Sequence, residues 1–170
     1  MRAIVCVDKN FGIGKDGKLL YNIKRDLSRF KSLTSDGIVI MGRGTMESLP
    51  KGKLPNRKNV VITHREIDSE DSDIEYSNSI DEVLQKYSDR NDVYIIGGES
   101  IYNQFLPYCS FVSLTMVKDE READCYFPNI INDNEWEKIF QSQTFHDDNE
   151  DVDFYFVDFS HIPKKLPKAE

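Results

Sequence analysis

Val93-Tyr94-Ile95-Ile96-Gly97-Gly98-Glu99-Ser100-Ile101-Tyr102 is the most informative run in the chain. Its apolar first half suits a buried strand. Two glycines follow at once, and residues 100–106 are predicted to be a helix stopped by Pro107. Glycines at such a junction let backbone N–H groups approach a ligand, and a helix start favours phosphate. A tight turn with no ligand accounts for the same residues equally well. A buried strand leading straight into a helix points to an α/β fold.

The alternation of short apolar runs with amphipathic stretches extends both ways from this run. Residues 4–7 read as a buried strand ended by the turn-like Asp8-Lys9-Asn10. Residues 11–17 read as a glycine-punctuated loop, long enough to be functional. Leu27, Phe30 and Leu33 share one face and predict a helix over 26–33. Residues 38–41 form a second buried strand, after which Gly42-Arg43-Gly44-Thr45 opens a short helix. Residues 58–63 and 74–76 are further strands. Ser79 is a predicted N-cap, with Asp81 and Glu82 in the first turn and Val83 and Leu84 inward. Residues 111–117, 136–142 and 153–159 complete the strands. The last two are predicted to pair as an antiparallel hairpin across the acidic connection 146–151, with Trp136 and Phe140 packing one face. Residues 163–170 are rich in Lys and Pro and are predicted to fray. Residues 1–162 then make one domain, without repeat or linker.

The 170 residues are 39% hydrophobic and 31% charged, an ordinary globular mix for one core. No apolar run is long enough to span a bilayer, and the apolar start is too short for a signal peptide. Cys6, Cys109 and Cys125 show no CxxC pair and no metal spacing, which suits reduced thiols in a cytosolic protein. Cys6 lies in an apolar run and reads as a small core residue. A net charge of −8 argues against nucleic acid as partner. An anionic ligand would therefore need a local basic cluster.

Two further strand ends offer such a cluster. Gly42-Arg43-Gly44-Thr45 supplies a fixed cation and a hydroxyl, and Thr63-His64-Arg65 supplies two more basic side chains. Solvated loop charge is the plain alternative. Asp26, in Tyr21-Asn22-Ile23-Lys24-Arg25-Asp26-Leu27, reads either as a helix-start acid or as a partly buried carboxylate with a raised pKa. In the second form it could bind an amidine-like heterocycle and assist protonation. His146 and His161 lack neighbours at ligand spacing, so no metal site is expected.

In order along the chain stand Gly12-Ile13-Gly14, Asp26 with Phe30-Lys31, Met41-Gly42-Arg43-Gly44-Thr45 and Leu54-Pro55-Asn56-Arg57-Lys58-Asn59. Ile96-Gly97-Gly98-Glu99-Ser100-Ile101-Tyr102, Leu106-Pro107, Leu114-Thr115 and Ala123-Asp124-Cys125-Tyr126-Phe127-Pro128 follow. Together these motifs resemble the dihydrofolate reductase family over nearly the whole chain. The resemblance implies a three-layer α/β fold: a mainly parallel eight-stranded sheet with an antiparallel C-terminal strand, flanked by four helices. Residues 38–90 would form an adenosine-binding subdomain. It implies a cytoplasmic, monomeric enzyme that reduces 7,8-dihydrofolate with NADPH, supports thymidylate and one-carbon metabolism, and binds antifolate inhibitors. Neither nucleic acid nor membrane is implied as a partner.

The resemblance also implies roles. Asp26 is the active-site acid, supported by Thr115, with Tyr21 and Leu19 in the same catalytic group. Val5, Cys6, Phe30, Lys31, Leu54, Arg57 and Ile96 line the substrate, Arg57 pairing with the α-carboxylate of its glutamate tail. The pyrophosphate of NADPH meets Gly42, Arg43, Gly44, Thr45, Gly97, Gly98 and Glu99, with Ser100 and Ile101 behind them. Ile13, Gly14, Leu19, Cys6, Ile96 and Tyr102 surround the nicotinamide and its ribose. Thr63, His64 and Arg65 sit by the 2′-phosphate. The loop 14–24 closes over the nicotinamide. The chain departs from the family at Leu20-Tyr21, where Pro-Trp is usual, and altered kinetics are expected there. A same-fold pyrimidine reductase is the nearest rival, opposed by Asp26, Phe30 and Arg57 together. A binding protein without turnover is another, supported by Leu20-Tyr21 alone.

Overall fold

The computed structural model describes residues 1–167. β1 (Arg2–Val7) is followed by β2 (Gly12–Lys15), β3 (Lys18–Leu19) and α1 (Lys24–Thr34). Next come β4 (Ile38–Gly42), α2 (Arg43–Ser48), β5 (Lys58–Ile62), β6 (Ile74–Ser77) and α3 (Ile80–Tyr87). β7 (Val93–Gly97) and α4 (Glu99–Phe105) lead through a 3-10 turn, Leu106–Tyr108, into β8 (Phe111–Val117). β9 (Cys125–Tyr126), β10 (Glu137–Gln141), β11 (Phe145–Asp147) and β12 (Val152–Ser160) complete the described chain.

The main sheet runs β10-β12-β8-β1-β7-β4-β5-β6, with β11 also paired to β12. Pairings from β8 across to β6 are parallel, and β12 is antiparallel to β8. This is the expected mainly parallel sheet with antiparallel C-terminal strands and four α-helices. β4 shows why the runs are continuously apolar: both faces of a parallel sheet are covered. Ile38 and Ile40 join the main core, while Val39 and Met41 join a second cluster with Val61 on the other face. Each such buried side chain contributes about 1.5–3 kcal/mol. α3 is capped as expected, Ser79 Oγ accepting from the Glu82 N–H at 3.2 Å.

Four expectations need correction. The loop 11–17 is largely a hairpin, β2 and β3 turning at Asp16-Gly17, both with positive φ (51° and 75°). Asp-Gly is the signature of that turn type. The connection 146–151 contains β11, because Phe145 packs on Phe154 and Phe156 while His146 faces Asp153 across the ladder. Trp136 and Phe140 do not share a face. Trp136 is buried and stacks on His161 at 4.3 Å, whereas a register shift between Lys138 and Phe140 leaves Phe140 49% exposed. Residues 163–167 form no helix or strand but are held: the Lys164 N–H donates to the Pro107 carbonyl and Leu166 packs on the main core. Residues 168–170 of the predicted fraying tail lie outside the described residues. Among the described residues, no helix is long and apolar enough to cross a membrane.

Candidate active site

The parallel strands β1, β7, β4 and β5 end along one edge of the sheet, at Val7, Gly97, Gly42 and Ile62. In open α/β sheets that edge is where ligands bind. The residues singled out in the sequence follow from it. Register places Cys6 of β1 opposite Thr115 of β8. The Thr115 hydroxyl, itself buried, donates to Asp26 Oδ1 at 2.6 Å.

Asp26 lies in the first turn of α1, yet it is no cap: α1 has no side-chain cap hydrogen bond. Burial pushes its pKa up, opposed by the Thr115 hydrogen bond and by the Arg29 guanidinium, and the net shift is upward. Arg29 cannot neutralise it outright, because it pairs with Asp158 at 3.0 Å and lies over the Phe156 ring. Leu27, Phe30 and Leu33 of α1 are none of them buried, so the helix keeps an apolar stripe only partly covered.

The segment between α2 and β5 brings Arg57 to Phe30, the guanidinium 6.0 Å from the ring centre. Arg57 is buried; Nη1 donates to the Pro55 carbonyl at 3.1 Å, while Nε is buried with no partner. A buried charged donor left unpaired costs more than the roughly 1–3 kcal/mol of a neutral one. Burial pulls the Arg57 pKa down and the Asp36 carboxylate opposes this, but a guanidinium stays charged. The group is thus primed for an acceptor. Asn59 fixes the segment: Oδ1 accepts from the Leu54 N–H and Nδ2 donates to the carbonyls of Leu54 and Arg57. Leu54 is half-buried against the second apolar cluster, and Lys31 is exposed on α1.

The opposite wall is glycine. Gly97 has φ 125°, a backbone region closed to other residues, and the Gly97–Gly98 peptide is cis. A Cβ at Gly97 would meet the Tyr102 ring at 3.4 Å and Thr45 Oγ1 at 3.5 Å; one at Gly98 would meet Thr45 Oγ1 at 3.7 Å. So the starts of α2 and α4 face each other closely. Neither has a side-chain cap, which leaves backbone donors for a ligand. A Cβ at Gly44 would enter open space. Ile101 packs under Gly42, and the buried Tyr102 donates to the Ile4 carbonyl at 2.7 Å. Arg43 Nε is 3.8 Å from Glu47. Glu99 accepts from the Tyr126 N–H, and Ser100 is exposed. At the end of β5 the Thr63 hydroxyl accepts from the Arg65 N–H at 3.2 Å. His64 and Arg65 are exposed there, beside a groove of about 330 Å³ that includes Ser77 and also Glu66 and Glu82.

The loop 14–24 is less uniform. Ile13 is buried, and the Gly14 carbonyl accepts from Asp124. Leu19 is 69% exposed and does not join the buried cleft groups. Tyr21 is buried with its hydroxyl 3.3 Å from Asp119, so the hydroxyl is engaged outside the Asp26 pair. Val5 is buried in the main core, and Ile96 packs on the second cluster. The structure also brings in residues to which the sequence assigns no site role: Asp8, Asn59, Arg121 and Glu150. Asp8 is buried and accepts from the N–H groups of Asn10, Gly12 and Arg121. Its place before Lys9-Asn10 is an Asx-turn signal.

A family model described as "Dihydrofolate reductase" matches residues 1–161. A dihydrofolate reductase of Buchnera aphidicola (subsp. Schizaphis graminum) is 37% identical over 153 residues, 90% of this chain and 94% of the relative. That of Bacillus subtilis is 35% identical over 154 residues, 91% and 90%. That of Staphylococcus haemolyticus is 31% identical over 159 residues, 94% of each. With matches of this extent, over a chain whose glycine wall lies at the carboxyl ends of the parallel strands and whose half-buried acid is held by Thr115, the chain belongs to the dihydrofolate reductase family.

Proposed function

We propose that Asp26 and Thr115 carry the proton side of the reaction, and that Arg57 and Phe30 hold the substrate. The reaction is the reduction of 7,8-dihydrofolate to 5,6,7,8-tetrahydrofolate by NADPH. When bound, NADPH supplies a hydride from its nicotinamide. The groups on the sheet edge fit it: Thr45, Gly97 and Gly98 make a wall with room for a pyrophosphate, and His64 and Arg65 stand exposed for a 2′-phosphate.

Asp26 faces a flat heterocycle from α1 and hydrogen-bonds its amidine-like edge. Burial raises its pKa and so favours the protonated carboxyl, and the pterin nitrogen takes up a proton from this side as the neighbouring carbon is reduced. Thr115 fixes which way the carboxyl faces. Arg57 offers its unpartnered Nε to the carboxylate of the glutamate tail. The loop 14–24 covers the nicotinamide and excludes water. Antifolates, cationic analogues of the pterin, would use the same Asp26 contact. Residues 38–90 form the adenosine side, and the enzyme works as a cytoplasmic monomer.

The observation that carries this reading is a half-buried carboxylate held at 2.6 Å by a buried threonine, with no cation paired to it among the described residues. An absorbance assay tests it. Purified protein should oxidise NADPH only when dihydrofolate is present. Asp26→Asn should lose most of that activity at neutral pH while NADPH still binds, and full retention would show the carboxylate to be wrongly assigned.

A further inference from the structure

We infer that Arg121 is a positioning residue whose guanidinium clasps Leu20-Tyr21-Asn22 to the body of the enzyme and thereby holds the covering loop in place. This rests on the reading that the loop 14–24 covers the nicotinamide. Arg121 sits between β8 and β9, and its main chain is anchored: its N–H donates to Asp8 Oδ2 at 3.0 Å. Asp8 is fully buried at the end of β1, and its other oxygen takes the N–H groups of Asn10 and Gly12. The base of the clasp is therefore part of the rigid sheet end.

From that base the side chain reaches two segments. Nη1 donates to the Leu20 carbonyl. The guanidinium carbon lies 4.1 Å from the centre of the Tyr21 ring. Nη2 is 2.8 Å from Glu150 Oε2, in the turn between β11 and β12. Glu150 Oε1 in turn accepts from the Asn22 N–H at 2.9 Å, and the Glu150 N–H donates to Asp147. Leu20, Tyr21 and Asn22 thus each make one contact with an Arg121–Glu150 unit. A planar fork can donate along its edge while its face stacks on an aromatic ring, which an ammonium cannot do. Tyr21 and Leu20 stand where the family usually has Trp and Pro, and Arg121 is the partner this chain gives them. Asp119 completes the unit, accepting from the Tyr21 hydroxyl and lying 3.6 Å from Arg121 Nε. Arg121 makes no contact with Asp26 or Arg57, so its effect on the reaction passes through the loop.

The test compares the parent enzyme with Arg121→Leu, Arg121→Lys and Glu150→Gln. Three readouts are needed: single-turnover hydride transfer, NADPH titration, and trypsin cleavage after the exposed Lys18 and Lys24. Arg121→Leu should lower the hydride-transfer rate and weaken NADPH binding by about tenfold each, with the KM for dihydrofolate within about twofold of parent. Trypsin should cut both sites faster. Arg121→Lys should recover part of the loss, and Glu150→Gln should shift the same readouts less. A folded Arg121→Leu with parental hydride transfer and NADPH affinity overturns the clasp. If that variant does not fold, Arg121→Lys and Glu150→Gln decide, and parental behaviour in both overturns it. The underlying reading is checked separately: NADPH must slow cutting after Lys18 in the parent, and without that protection the covering role fails whatever Arg121 does.

Discussion

Thr115 Oγ1 stands 2.6 Å from Asp26 Oδ1, a contact between the middle of β8 and the first turn of α1. The donor is buried and comes from the sheet, so it cannot follow the carboxyl if α1 shifts. Thr115→Val keeps the shape and removes the hydroxyl. The hydrogen bond lowers the Asp26 pKa against burial, so its loss raises that pKa further. The falling limb of the pH–rate profile should move to higher pH. An unmoved limb in stopped-flow hydride transfer would separate Thr115 from the acid.

The same carboxyl costs stability. A pKa raised in the folded state means that ionising Asp26 disfavours the fold. The deficit is absent below the unfolded pKa and grows as pH rises through the folded one. Asp26→Asn should therefore raise stability at neutral pH, on the order of 1 kcal/mol, as active-site acids often do when removed. The gain should shrink towards acid pH. Thermal melts at two pH values read this directly, and equal gains at both would contradict it.

Arg57 keeps a buried Nε without a partner, and on the proposed reading its guanidinium meets the glutamate carboxylate. Arg57→Lys keeps the charge but loses the fork. The KM for dihydrofolate should rise roughly tenfold to a hundredfold with little change in kcat, matching about 1.5–3 kcal/mol for a charged hydrogen bond. A pteridine lacking the glutamate tail should show no such difference between parent and variant.

Gly97 and Gly44 should behave differently. Gly97 has φ 125°, a conformation that residues with a Cβ rarely adopt, whereas Gly44 has no positive φ and a Cβ there meets nothing within 4 Å. Gly97→Ala should cost about 1–3 kcal/mol in chemical denaturation and impair NADPH binding. Gly44→Ala should leave stability close to parental. Equal losses in the two would show that the wall is not shaped as described.

Arg65 shares its groove with Glu66, Asp68 and Glu82, so its field is local. Arg65→Gln should raise the KM for NADPH about tenfold and leave that for NADH unchanged. The difference should shrink in high salt, as expected for partly exposed charges.

Much of this was legible in the sequence, for reasons that differ by element. β4 and β7 were readable because both faces of the sheet are covered, which writes an unbroken apolar run. Ser79 was readable because a cap acts within one helical turn. The Asp16-Gly17 hairpin carries its turn signal in the sequence, but the glycines on either side read equally as a functional loop. Trp136 and Phe140 misled because a single register shift breaks the period of two. Asp26 was legible as a helix-start acid or a partly buried carboxylate, without a local signal to choose between them; the contact that distinguishes the two comes from residue 115, far along the chain. Arg121 and Glu150 carry no local pattern at all. Their meaning lies in three loops meeting in space.

The most direct test is the pH dependence of single-turnover hydride transfer in the parent enzyme and in Asp26→Asn. With Asp26 as the source of the proton, the parent rate falls as pH rises through the raised Asp26 pKa. The variant should be slow and lack that titration, while binding NADPH as the parent does. A variant that keeps the parental rate and the same pH limb would remove Asp26 from the chemistry.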